Sequence, residues 1–184
     1  MRLGIGSAMV AVLLAVVGML LFGAGPGDAQ LAGWRERAAA GAKALVRFVD
    51  GLAAYRPAAA ITVIGHSYGS VVVGRAARSL NRQVRDIVAV ASPGMGVDRV
   101  GQLRTRARVW AGTAGADWVR RLPSFRFLGV GHGTRPSDGA FGARALPVDG
   151  VTGHYDYFRP GTGSLRAMAL ITLGESPAAA APPG

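Results

Sequence analysis

Ten residues, 61–70, constrain this chain more than any other stretch. An apolar, β-branched run, Ile61-Thr62-Val63-Ile64, leads directly into Gly65-His66-Ser67-Tyr68-Gly69-Ser70, and Val71-Val72-Val73-Gly74-Arg75-Ala76-Ala77 follows. The first run reads as a buried strand and the last as a helix, so the residues between them form a sharp turn. Strand, Gly-x-Ser-x-Gly and helix in that order make a nucleophile elbow, which holds a serine in a strained turn at the end of a sheet. Glycines two residues before and two after the serine leave room where strand and helix nearly touch. The simpler reading is a strand-to-helix turn with a serine N-cap. Glycine is common in this chain, at 28 residues, so the flanking strand and helix carry the reading rather than the motif alone.

With 184 residues the chain is long enough for one domain with a real core, and 50% hydrophobic content predicts a folded protein. The formal net charge is +11, almost all of it from arginine, since Lys43 is the only lysine. The arginines are spread along the chain, with one denser run at Arg99, Arg104, Arg106 and Arg108. No finger spacing or aromatic ladder accompanies them, which disfavours a nucleic-acid partner. The chain has no cysteine, which excludes disulfides and thiol chemistry, and its three histidines are too scattered for a metal motif. The expectation is therefore a protein without metal or cofactor.

Residues 3–27 carry no charge, and the most apolar part, 8–22, runs into Gly23-Ala24-Gly25-Pro26-Gly27. About 20 residues span a bilayer core as a helix, and this run just reaches that length. Three readings compete: a membrane anchor helix, a secretory signal with Arg2 as its short basic region, and a buried helix of the fold. The first two imply a membrane-anchored or exported protein and the third a cytoplasmic one. The expected division is a hydrophobic segment over 1–30, a catalytic-type domain over 31–174, and a disordered Pro/Ala-rich tail over 175–184.

Between the apolar run and the elbow, Trp34, Ala38, Gly41, Leu45, Phe48 and Leu52 fall at steps of three and four, which predicts a helix over 31–55 with Trp34 and Phe48 packed inward. Arg56-Pro57 ends it. The elbow helix is expected to reach about Leu80. Further strands are expected at 87–91, 106–112 and 125–130, and a closing helix over 163–173. Strands alternating with helices or loops predict an α/β protein with a mainly parallel sheet under crossover helices, its functional loops gathered at the carboxyl ends of the strands. The turn Ser92-Pro93-Gly94 falls at such an end, where it either contacts substrate or simply turns the chain.

A serine nucleophile needs a base to take its proton and an acid to orient that base. On this kind of sheet the chain order is serine, acid, histidine, and Ser67, Asp117 and His154 satisfy it. Asp117 follows the third predicted strand, where it also suits an N-cap for a helix at Trp118. Asp138 is the second choice of acid; Asp86, Asp98 and Asp149 fit worse. His132, in Gly131-His132-Gly133, is the alternative base. His66 is expected to point away from the serine and to pack or hydrogen-bond beneath the elbow. The backbone N–H of Tyr68 is the expected oxyanion donor.

Taken together, Gly65-His66-Ser67-Tyr68-Gly69-Ser70, Ala91-Ser92-Pro93-Gly94-Met95-Gly96-Val97-Asp98, Gly131-His132-Gly133-Thr134, Ala140-Phe141-Gly142-Ala143-Arg144 and Gly153-His154-Tyr155-Asp156-Tyr157-Phe158 resemble an actinobacterial α/β-hydrolase family of the DUF1023 type over residues 34–173. The resemblance implies an α/β-hydrolase fold, Ser67 as nucleophile and His154 as base. Tyr155 stands where serine is more usual. The family also has strands and a glycine-rich oxyanion loop before the helix that precedes the elbow. Here the apolar run stands in their place, so the expectation is an N-terminally truncated or atypical sheet, and with it a longer upstream reading frame. The function expected is hydrolysis of an ester, thioester or amide, on a small-molecule or lipid ester substrate, with membrane association through 3–27; nothing predicts the oligomeric state. The rival expectations are a non-catalytic membrane-associated protein on a hydrolase scaffold and, more weakly, a surface-binding module using its arginines.

Overall fold

A computed structural model gives the structure of the chain and describes residues 9–15, 28–122, 126–127 and 130–177. Five strands form its main sheet: β1 (Met9–Ala15), β2 (Ala60–His66), β3 (Val84–Val90), β4 (Arg108–Gly112) and, further along the chain, a two-residue strand Arg144–Ala145. They lie side by side in chain order and every pairing is parallel. Three α-helices accompany them: α1 (Asp28–Tyr55), α2 (Gly69–Ala76) and α3 (Gly163–Thr172).

Strands β2, β3 and β4 are buried on both faces, so they are apolar at successive positions rather than alternately. Alternation in β2, β3 and β4 then decides which layer each side chain enters. Ile61, Val63, Ile87, Ala89, Val109 and Ala111 pack with Leu45 and Val49 of α1 and Val73 of α2. Ile64, Val88, Val90 and Trp110 face the other way, onto Met168 and Ile171 of α3. One charged group sits inside this apolar frame. Asp86, 1% exposed, accepts from Arg108 Nε at 2.7 Å, from its terminal nitrogen at 2.9 Å, and from Trp110 Nε1 at 2.8 Å. These bonds tie β3 to β4, so Asp86 is structural.

Several expectations change. The helical readings of the uncharged N-terminal run fail over Met9–Ala15, which pair as a strand with β2, Ala15 lying beside His66. The helix before the elbow is therefore preceded by a strand of the sheet, which removes the argument for a scaffold lacking one there. Among the described residues no helix is long and apolar enough to cross a membrane. The remaining residues of 3–27 lie outside the described residues.

The helix expected over 31–55 is present and runs Asp28–Tyr55, but its buried face is Ala38, Ala42, Leu45, Val49 and Ala53. Phe48, expected inside, is 58% exposed, because the stripe is rotated by about one residue from the one predicted. Trp34's side chain lies outside the description. A strand expected over 125–130 in the main sheet is instead a separate antiparallel pair, β5 (Arg126–Phe127) and β6 (Val130–Gly131). The fifth place in the main sheet belongs to Arg144–Ala145, which becomes β7. The expected closing helix is α3. Of the expected tail, residues 178–184 lie outside the described residues.

Candidate active site

The elbow forms where β2 meets α2. Ser67 has φ +53°, a left-handed conformation that a non-glycine residue holds at a cost of about 1–3 kcal/mol. Its backbone is bonded on both sides. Its N–H donates to Val90 O of β3 at 3.0 Å, and its carbonyl accepts Ser70 N–H at 3.1 Å and the Ser70 hydroxyl at 2.6 Å. The Ser70 and Ser92 hydroxyls share a hydrogen bond at 2.6 Å, both lie 3.1 Å from Gly94 O, and Gly94 N–H donates to Ser92 Oγ at 3.1 Å. The Ser92-Pro93-Gly94 turn, offered by the sequence as a substrate contact or a chain turn, is buried and braces the elbow from below. The tight approach expected of Gly65 is present: a Cβ there would lie 2.9 Å from Ser70 Cα.

The Ser67 hydroxyl meets His154 Nε2 at 3.0 Å, and His154 Nδ1 meets Asp117 Oδ1 at 2.8 Å. The carboxylate accepts, so Nδ1 carries the proton and, in the neutral ring, Nε2 is the acceptor for Ser67. Asp117 follows β4 and heads the 3-10 turn Trp118–Arg121. The N-cap reading of that residue holds as well as its contact with His154: Oδ1 also accepts Val119 N–H at 2.9 Å, which caps the turn. His154 lies in the loop between β7 and α3. The structure thus brings Ser67, Asp117 and His154 into one hydrogen-bonded line.

A fourth residue completes the line, one for which the sequence reading assigned no task. Tyr157, fully buried, donates its hydroxyl proton to Asp117 Oδ2 at 2.8 Å and accepts Ala114 N–H at 2.9 Å. Burial opposes the charge on Asp117, but the hydrogen bonds from His154, Val119 and Tyr157 outweigh it and hold the carboxyl below its usual range. Burial, and then the neighbouring carboxylate, push the Tyr157 phenol up, so it stays a donor. Tyr157 lies three residues past His154, within a 3-10 turn Asp156–Phe158, and no sequence signal ties its hydroxyl to Asp117.

His66 lies beneath the elbow as expected. Its Nε2–H donates to the backbone carbonyl of His154 at 2.7 Å, so it steadies the loop that carries His154. Burial lowers its pKa. The alternative base, His132, packs edge-on against Tyr68 with ring centroids 5.6 Å apart, while Ser67's hydroxyl meets His154. Burial lowers the His132 pKa too. The alternative acid, Asp138, is held by Arg135 at 3.3 Å. Tyr68 stands at the N-cap of α2, where its backbone follows the serine. Trp118 and Tyr155 pack on the His154 ring. A groove of about 760 Å³ along α3, lined by Pro147, Leu165, Arg166 and Leu170 among others, includes none of Ser67, Asp117 and His154. Among the described residues no cluster of His, Asp or Glu could hold a metal ion.

Fold and site together define a parallel α/β protein with a serine raised on a strand-to-helix elbow beside a buried histidine and carboxylate. The family model described as alpha/beta hydrolase matches residues 10–127, more than half of the chain, and the chain belongs to that family. The match takes in β1, the elbow and Asp117, and ends before His154. No curated protein and no solved structure matches the chain.

Proposed function

We propose that this chain is a serine hydrolase that cleaves an ester, thioester or amide through an acyl-enzyme, within the actinobacterial branch that its ordered motifs resemble. The observation that carries the reading is the hydrogen-bonded line from Asp117 through His154 to Ser67, with Ser67 strained at the elbow. In that mechanism Ser67 Oγ attacks the acyl carbon while its proton passes to His154 Nε2, and Asp117 stabilises the imidazolium and fixes the tautomer. The backbone N–H of Tyr68 donates to the developing oxyanion. His154 then protonates the leaving group, and water repeats the sequence to release the acid. Small-molecule or lipid esters are the substrates proposed.

The test is labelling by a fluorophosphonate together with turnover of simple esters. The wild-type chain is expected to label at Ser67, and Ser67→Ala to lose the label and about 10⁴-fold or more of kcat. A folded wild-type chain that neither labels nor hydrolyses any ester, thioester or amide sinks the proposal.

A further inference from the structure

Among the described residues the large hydrophobic side chains left exposed are Phe48, Tyr55, Trp118, Tyr155 and Leu173. Two of these five pack on the same buried imidazole. The Trp118 ring centroid lies 4.6 Å from that of His154, tilted by 39°, and the Tyr155 centroid lies 5.1 Å away, nearly perpendicular. They reach it from different places in the chain, Trp118 from the turn after β4 and Tyr155 from the loop before α3. His154 itself is 6% exposed, whereas Trp118 remains 37% and Tyr155 68% exposed. Each ring therefore covers the imidazole with one part and offers the rest to solvent. Aromatic surface exposed beside the imidazole is what an apolar part of a bound substrate would meet.

The chemistry says which part of a substrate meets that surface. When Ser67 Oγ bonds to the acyl carbon, the carbonyl electrons move onto oxygen and the hydroxyl proton moves to His154 Nε2. On collapse, the bond from the acyl carbon to the leaving oxygen breaks, its electron pair stays on that oxygen, and the proton on Nε2 transfers to it. The leaving oxygen must then lie within hydrogen-bond reach of Nε2. The oxyanion points instead toward the start of α2, where the Tyr68 N–H lies. The group attached to the leaving oxygen thus begins beside the imidazole on which Trp118 and Tyr155 pack, and the acyl chain is directed elsewhere.

We infer that Trp118 and Tyr155 form the leaving-group subsite and select esters whose alcohol part carries an uncharged aromatic ring, which the two side chains hold by stacked and edge-on contacts. This rests on the serine-hydrolase reading. The experiment uses the full chain with ethyl, benzyl and naphthylmethyl esters of one short acid, and a second series with a fixed ethyl group and lengthening acids. The expected result is a higher kcat/KM for the benzyl and naphthylmethyl esters. Trp118→Ala and Tyr155→Ala each reduce the benzyl-to-ethyl ratio by about five- to tenfold, the size expected from losing one aromatic contact, while Trp118→Phe and Tyr155→Phe largely keep it. Equal losses on every ester would make the rings structural cover for His154 and overturn the inference. A change that follows acyl length, or one seen only with vesicle-borne substrate, also overturns it. A wild type without fluorophosphonate labelling or turnover fails at the hydrolase reading instead, and the subsite falls with it.

Discussion

Tyr157 has a hydroxyl whose two hydrogen bonds both end within the site, on Asp117 Oδ2 and Ala114 N–H. Tyr157→Phe keeps the ring and removes the hydroxyl, leaving a buried carboxylate oxygen and a buried N–H without that partner. A cost of about 1–3 kcal/mol in stability is expected from such orphaned groups, and a fall of about tenfold in kcat with little change in KM from a less well fixed Asp117. The sign of its pH dependence follows from Asp117. The carboxyl sits below its unfolded value of 3.8, so its stabilisation is present above that pH and is lost as the pH falls through the folded value. Removing the Tyr157 bond raises the folded value, so urea melts should show the wild-type advantage at neutral pH shrinking as the pH drops below the carboxylate range. Two imidazoles, one buried and one half-buried, act at higher pH. His66 and His132 both lie below 6.5 in the fold, His66 chiefly by desolvation, so above 6.5 they are neutral in both states and their native environment carries no penalty. Below 6.5 the unfolded chain takes up protons first, and thermal stability is expected to decline before any carboxylate titrates. His66→Gln, which keeps an N–H for the His154 carbonyl, should flatten part of that decline; an unchanged slope in its pH–Tm curve would count against the assignment. At this scale the sequence was informative where chemistry depends on chain order. Serine, acid and histidine follow the order of the sheet, so Ser67, Asp117 and His154 could be selected before their distances were seen. Tyr157 could not, because nothing in a tyrosine's local sequence shows which buried carboxylate its hydroxyl meets.

Among the elements, α1 shows how far periodicity carries. The steps of three and four in its sequence identify a helix, but many alanines leave the direction of the stripe poorly marked, and large residues such as Phe48 pull the predicted face toward themselves. The actual face follows Ala38, Ala42, Leu45, Val49 and Ala53, small enough for α1 to lie close to the sheet and α2; a Cβ at Gly41 would already stand 3.2 Å from Val72. The two faces predict opposite results. Leu45→Ala empties a site only 2% exposed and should cost about 2–4 kcal/mol in chemical denaturation, while Phe48→Ala, on the exposed side, should stay within about 0.5 kcal/mol. Comparable losses at both positions would mean that Phe48 packs inward after all. The misplaced fifth strand has a different cause. Phe125-Arg126-Phe127-Leu128-Gly129-Val130 has the composition of a strand, and its described residues do pair, as the antiparallel strands β5 and β6. β7, which occupies the sheet position, is two residues long and too short to carry any period.

For the whole molecule, the order of the main sheet follows the order of the chain, and this makes Met9–Ala15 of the N-terminal run structural. A parallel strand buried on both faces and a membrane helix share one signature, an apolar run without charge, and length alone separates them poorly when glycines blur the ends. What separates them is partnership, which only the fold reveals. Seven residues of β1 pair with seven of β2, the strand whose end carries Ser67, and β2's Ile61 and Val63 are fully buried beside it. Removing residues 1–15 would leave the backbone of β2 as an open, apolar edge, a template for pairing between copies. The chain without them is therefore expected to aggregate or to lose cooperative unfolding and near-UV dichroism, even though the elbow, Asp117 and His154 are all retained. A detachable anchor predicts the reverse, a truncated domain more soluble than the parent and equally cooperative. The comparison of soluble yield and urea melts for the two lengths distinguishes them. It also bears on catalysis, since Ala15 pairs beside His66 and a sheet without β1 loses one wall of the elbow; fluorophosphonate labelling of Ser67 should disappear with the cooperative transition rather than survive it.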